Sequence, residues 1–151
     1  MIASAHAATG ALVAVLIDKP LIALPVAFAS HFVLDVFPHF GYPGHKGFKS
    51  DLKNGFAKII AILDPLLVLL LFGALAYLGV DWYIYAAALL AASPDIEWLV
   101  SYLFFQLRDR QPPKSFLYKF HANIQWCENP ALIFSDLAVY TLALVLIFGI
   151  T

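Results

Sequence analysis

From residue 57 to residue 79 the chain reads AKIIAILDPLLVLLLFGALAYLG, and Lys58 and Asp64 are its only charged residues. A bilayer hydrocarbon core about 30 Å thick needs roughly 20 mainly apolar helical residues to cross it. A helix also satisfies its own backbone groups, which lipid cannot do. The stretch is therefore read as a membrane span. Four further apolar segments cover residues 2–17, 21–37, 82–105 and 130–150. The first two lie near the lower length limit of about 17 residues. They are expected either to span or to form a tilted or re-entrant hairpin turning at Asp18-Lys19-Pro20. Of the 151 residues 62% are hydrophobic and only 13% charged. A soluble domain of this size buries only about 70% of its unfolded surface, too little to hide such an excess. The expected fold is an all-α, polytopic membrane helical bundle of about five apolar segments in a single transmembrane domain.

Several function classes are disfavoured. The net charge is −1 and no basic run is interleaved with aromatics, so nucleic acid is not an expected partner. A lone Cys127 allows neither an internal disulfide framework nor a metal-binding cysteine pair. The first apolar run lacks a positive leading region and is read as a retained helix rather than a signal peptide.

Lysine and arginine orient the bundle. Lys46, Lys49, Lys53 and Lys58 lie in or beside the loop after the second segment, and Arg108, Arg110, Lys114 and Lys119 follow the fourth. The positive-inside rule then predicts both long loops and the N-terminus in the cytoplasm, at the inner membrane. Trp82, Tyr83, Tyr85, Trp98 and Trp126 are expected at the membrane interfaces.

Ionisable groups inside a span cost about 2.5–3.5 kcal/mol each, so each needs a reason. In the predicted topology His6, His31, Asp35, Asp64, Asp95, Glu97 and Asp136 all fall in cytoplasmic halves of segments, with His39 and His121 just outside. His31 and Asp35 are an i,i+4 pair projecting from one helical face. Imidazole and carboxylate so placed suit a borderline divalent ion such as Zn²⁺. Ser93-Pro94 is expected to break the fourth segment and aim free N–H groups into the cluster. The ordinary readings are helix–helix hydrogen bonds for the histidines, caps at proline breaks for Asp64 and Asp95, and ion pairs for Glu97 with Arg108 and for Asp136 with a lysine.

The string Ser30-His31-Phe32-Val33-Leu34-Asp35-Val36-Phe37-Pro38-His39, the early His6-Ala7-Ala8-Thr9-Gly10 and Pro94-Asp95-Ile96-Glu97 resemble the bacterial inner-membrane metal-dependent hydrolases. These are small multi-span proteins related by similarity to zinc-dependent phospholipase C. Phe120-His121-Ala122-Asn123-Ile124-Gln125 resembles a His-x-x-x-His element, with Gln125 in the second histidine's place. Trp98 likewise stands where the family's Pro-Asp-x-Asp-His pattern ends in histidine.

The residues and the resemblance together point to hydrolysis of a phosphoester or lipid-like substrate at the cytoplasmic interface. His6, His31, Asp35, Asp64, Asp95 and His121 are the expected ligands of one or two divalent ions, zinc first among them. Glu97 or Asp64 is the expected general base, and His39 a further ligand or proton donor. Lys46, Lys49, Arg108 and Arg110 are expected to attract an anionic head group, and an oligomer is compatible with the pattern. The alternatives are an ion-coupled transporter and a catalytically silent scaffold or lipid-binding protein.

Overall fold

The computed structural model describes residues 1–42, 52–108, 110 and 116–151, without the side chains of residues 117, 118 and 122. Its α-helices are α1 (Ala3–Ile17), α2 (Pro20–Val36), α3 (Gly55–Leu78), α4 (Trp82–Ala92), α5 (Ile96–Phe104), α6 (Phe116–Ile124) and α7 (Ile133–Ile150). The all-α bundle expected from the sequence is what forms.

The number of spans differs from the sequence reading. Three helical stretches are long and apolar enough to cross a membrane: Gly55–Leu78, Trp82–Arg108 and Pro130–Ile150. They mark the chain as a membrane protein. Leu66, Leu69 and Leu70 on α3 are about half or more exposed, as side chains solvated by lipid would be. The first two segments form helices of 15 and 17 residues, one short of a span and one at its lower limit.

Packing explains why α1 can be short. Ala5, Ala7, Ala8, Gly10, Ala11 and Ala14 are buried, and α1 touches α2, α3, α4 and α7. Small side chains let four helices approach one axis, the usual device of membrane interiors. A Cβ at Gly10 would lie 2.5 Å from Ala91 Cβ and 2.6 Å from the Ala87 carbonyl oxygen, so only glycine permits this α1–α4 contact.

At its C-terminus α1 ends on Asp18, which adopts φ 47° and accepts a hydrogen bond from Tyr83 Oη at 2.8 Å. Tyr83, expected in an interfacial belt, is thus a buried tie at the start of α4; of the five aromatics expected there, Trp82 and Trp126 are exposed, at 71% and 72%. At its N-terminus α1 meets Asp64, the tenth residue of α3. Fifteen residues at 1.5 Å rise make α1 about 22 Å long, matching the distance along α3 from Asp64 to Leu78. α1 therefore begins partway into the depth of α3 and does not cross with it.

Candidate metal centre

A helix that starts inside the bundle leaves its first N–H groups without carbonyl partners. Two carboxylates supply them. Asp64 accepts from the backbone N–H of Ala3 at 3.0 Å and of Ser4 at 2.8 Å, and Asp136 from that of Ile2 at 2.9 Å. Asp136 also accepts from the Phe40 N–H at 3.1 Å, joining α1 to the segment that carries His39. Neither needs a metal or a lysine to account for its place. Asp64, expected as ligand and as base, is engaged through both oxygens and stands outside both groupings of side chains close enough to share an ion.

Those groupings are His6, His31 and Asp95, and His31, Asp35 and His121. His6 comes from the first turn of α1, and His31 and Asp35 from the last turns of α2. Asp95 comes from the 3₁₀ turn Ser93–Asp95 between α4 and α5, and His121 from α6. The histidines and Asp35 are fully buried, whereas the Asp95 side chain is 18% exposed. Asp35 Oδ2 lies 2.7 Å from His121 Nε2 and 3.2 Å from His31 Nε2, and Asp35 Oδ1 lies 3.1 Å from His6 Nε2. Asp95 Oδ1 is 3.9 Å from both His31 Nε2 and His121 Nε2, and its Oδ2 is 3.9 Å from His6 Nε2. Ligands about 2.0–2.2 Å from one ion lie roughly 3–4 Å from each other, which covers these separations except the 2.7 Å between Asp35 and His121, a hydrogen-bond distance.

Tautomers are set from outside the cluster. His31 Nδ1 donates to the Ala91 carbonyl at 2.8 Å, and His39 Nδ1 donates to the Phe37 carbonyl at 2.7 Å. In a neutral ring this leaves the Nε2 lone pair pointing inward, the state a metal requires. The Ala91 carbonyl lies beside the Pro94 break. Pro94 has no N–H for the Leu90 carbonyl, which accepts from Ser93 Oγ at 2.8 Å instead. The expected helix start at Ser93-Pro94 does not form. Ala92 and Asp95 keep right-handed helical angles, so the chain passes through as a tight turn with no N–H nest aimed at the cluster.

His39 reaches Asp35 Oδ1 at 3.9 Å and is fixed by backbone pairing with the other loop: its N–H donates to the Cys127 carbonyl, and its carbonyl accepts from the Asn129 N–H at 3.0 Å. Burial holds the His39 imidazole below its usual pKa, with the nearby α-ammonium adding to the effect. His39 Nε2 is buried without a hydrogen-bond partner among the described residues, as are the Nδ1 atoms of His6 and His121, and His6 Nε2 has only Asp35 Oδ1 at 3.1 Å. The Met1 ammonium stands 2.9 Å from Asp35 Oδ1.

Gln125 was legible only as a missing histidine, yet its Nε2 donates to Asp35 Oδ2 at 3.2 Å and lies 3.1 Å from His121 Nε2. Its signal was the i,i+4 spacing from His121 on one helical face. Glu97 is half-buried on α5, outside both groupings. Arg108 donates to the Leu103 and Phe104 carbonyls at the end of α5, and Arg110 is exposed. Lys46 and Lys49 lie outside the described residues.

A cavity of about 480 Å³ adjoins the cluster, within the range of small-molecule sites. Apolar residues of α3 (Ala57, Ile60, Pro65) and of α4 and α5 (Leu89, Ile96, Leu99) form most of its wall, and Asp64, Asp95, Gln125 and Glu128 are among its polar residues. No Lys or Arg lines it among the described residues. Asp95 is the one member of the two groupings that lines this space.

Comparison of the chain with protein-family models, with curated proteins and with solved structures finds no match.

Proposed function

We propose that this protein is a membrane-embedded metal-dependent hydrolase of a phosphoester or lipid-like substrate, working at the cytoplasmic interface with a divalent ion, zinc in the first instance. One observation carries the reading: imidazole nitrogens and carboxylate oxygens from three separate helices and a turn converge in a cluster at ligand spacing. Of its buried Nε2 atoms, that of His39 lacks a hydrogen-bond partner among the described residues and that of His6 has only Asp35 Oδ1 at 3.1 Å, and an unpaired buried polar group is costly. An ion would supply what these atoms lack.

The donor set fits zinc, which takes His nitrogen and carboxylate oxygen together. Bound there, a divalent ion would supply Lewis acidity and a water whose pKa falls toward about 7. The chain's own residues do the rest. Ala91 and Phe37 hold the His31 and His39 rings in their ligating tautomer. Gln125 orients Asp35 and lines the cavity beside it. The apolar wall seats a hydrocarbon part of the substrate and excludes water, leaving the scissile bond beside Asp95.

Hydrolysis adds the elements of water across that bond: the hydroxyl oxygen bonds to phosphorus or acyl carbon, and the leaving oxygen takes a proton. Asp64 and Glu128 both line the cavity, whereas Glu97 does not, so the base role passes from Glu97 to Asp64 or Glu128. The test is hydrolysis by purified, metal-loaded protein of a long-chain and a short-chain phosphoester, with and without chelator. Chelator-sensitive turnover favouring the long chain is expected. Metal-loaded protein that turns over neither ester overturns the reading.

A further inference from the structure

The two carboxylates of the centre sort the imidazoles into two sets. Asp35 turns Oδ2 toward His31 Nε2 (3.2 Å) and His121 Nε2 (2.7 Å), and Oδ1 toward His6 Nε2 (3.1 Å) and His39 Nε2 (3.9 Å). Asp95 repeats the division. Its Oδ1 lies 3.9 Å from His31 and His121, and its Oδ2 lies 3.9 Å from His6. We propose that the centre is dinuclear, with Asp35 and Asp95 each giving one oxygen to each of two divalent ions. His31 and His121 complete one position, and His6 and His39 the other. This rests on the metal-centre reading above.

Two observations carry it beyond a single ion. A catalytic zinc takes three protein ligands and a structural one takes four, whereas five side chains make up the two groupings and His39 stands outside them, 3.9 Å from Asp35 Oδ1. A single ion at the His31 and His121 pole would leave the buried His39 Nε2 without a hydrogen-bond partner among the described residues and His6 Nε2 with only Asp35 Oδ1, at 3.1 Å.

Charge argues the same way. One divalent ion would only neutralise Asp35 and Asp95, and the cavity wall has no Lys or Arg among the described residues. Among the described residues an anionic phosphoester would then meet only the Met1 ammonium, itself held by Asp35. A second ion leaves the centre net positive where such a head group must sit, and paired ions about 3.5–4 Å apart are the usual clamp for in-line displacement at phosphorus. The substrate class that follows is a phosphoester rather than a carboxylic ester.

The test uses the full-length protein in detergent, loaded with Mn²⁺ and freed of excess ion, with manganese per chain measured by elemental analysis and spin coupling by electron paramagnetic resonance. Two ions per chain with an exchange-coupled spectrum are expected. The double variant His6→Gln, His39→Gln should hold one uncoupled ion, and so should His121→Gln, which removes a ligand from the other pole. Helical circular dichroism and gel filtration establish that each variant is folded. If a variant is not folded, the wild-type count and spectrum decide alone. One uncoupled ion per wild-type chain overturns the dinuclear proposal and leaves the hydrolase reading standing. Two coupled ions with no hydrolysis of any phosphoester do the reverse.

Discussion

Replacing Asp64 by alanine separates a structural carboxylate from a ligating one. The substitution deletes both acceptors for the Ala3 and Ser4 N–H groups, bonded at 3.0 and 2.8 Å. A hydrogen bond to a charged group contributes about 1.5–3 kcal/mol, so two give about 3–6 kcal/mol. Asp64 is half-buried and borders the cavity, so water can replace part of the loss, and the lower end, about 3 kcal/mol, applies. At this chain length that corresponds to a melting temperature lower by roughly 6–12 °C. Asp64→Asn keeps one acceptor and turns an N–H₂ toward the second donor, so it should lose about half as much. The assay is thermal melting in one detergent, with metal content measured on the folded fraction. Both variants should melt earlier and keep their metal. Unchanged melting together with lost metal would refute the capping argument and return Asp64 to the ligands.

Other substitutions probe the frame around the centre. Gly10→Val forces a side chain into Ala91 Cβ and the Ala87 carbonyl, and overpacking of this kind costs about 1–3 kcal/mol. Because the Ala91 carbonyl holds the His31 tautomer, metal affinity should fall with melting temperature, and a variant losing neither would contradict the coupling. Tyr83→Phe removes the hydrogen bond to Asp18 at the far end of α1, so it should lower stability by about 1 kcal/mol and leave metal content unchanged. The depressed His39 pKa means the unfolded chain takes up its proton first as the pH falls, so this group's contribution to stability is intact well above the ordinary value near 6.5 and is lost as the pH drops below it. In metal-free protein, His39→Gln should flatten melting temperature against pH between about 7 and 5; an unaltered slope would contradict the assignment.

Much of this was legible in the sequence, because apolar runs and intramembrane charges are strong local signals. The i,i+4 pair His31 and Asp35 needed only helical geometry to share a face, and the crowding of ionisable groups into one end of the segments located the cluster. The length of α1 was not legible as a non-span, because its N-terminus is satisfied by Asp64 and Asp136, 61 and 134 positions away. The same contacts explain why those carboxylates resembled ligands: an acid inside a span needs a partner, and sequence alone does not tell an ion from a buried helix end. Gln125 was overlooked because a neutral amide signals little until Asp35 is placed beside it. The break at Pro94 was foreseen, but its consequence is a carbonyl that fixes His31 rather than free N–H groups.

The most direct test of the metal centre is elemental analysis of the wild-type protein and of the His31→Ala, Asp35→Ala double variant, purified at neutral pH in the same detergent. The account predicts bound divalent metal in the wild type and its loss in a variant that remains helical. Wild-type protein with less than one ion per chain, or a variant with unchanged metal, would contradict it.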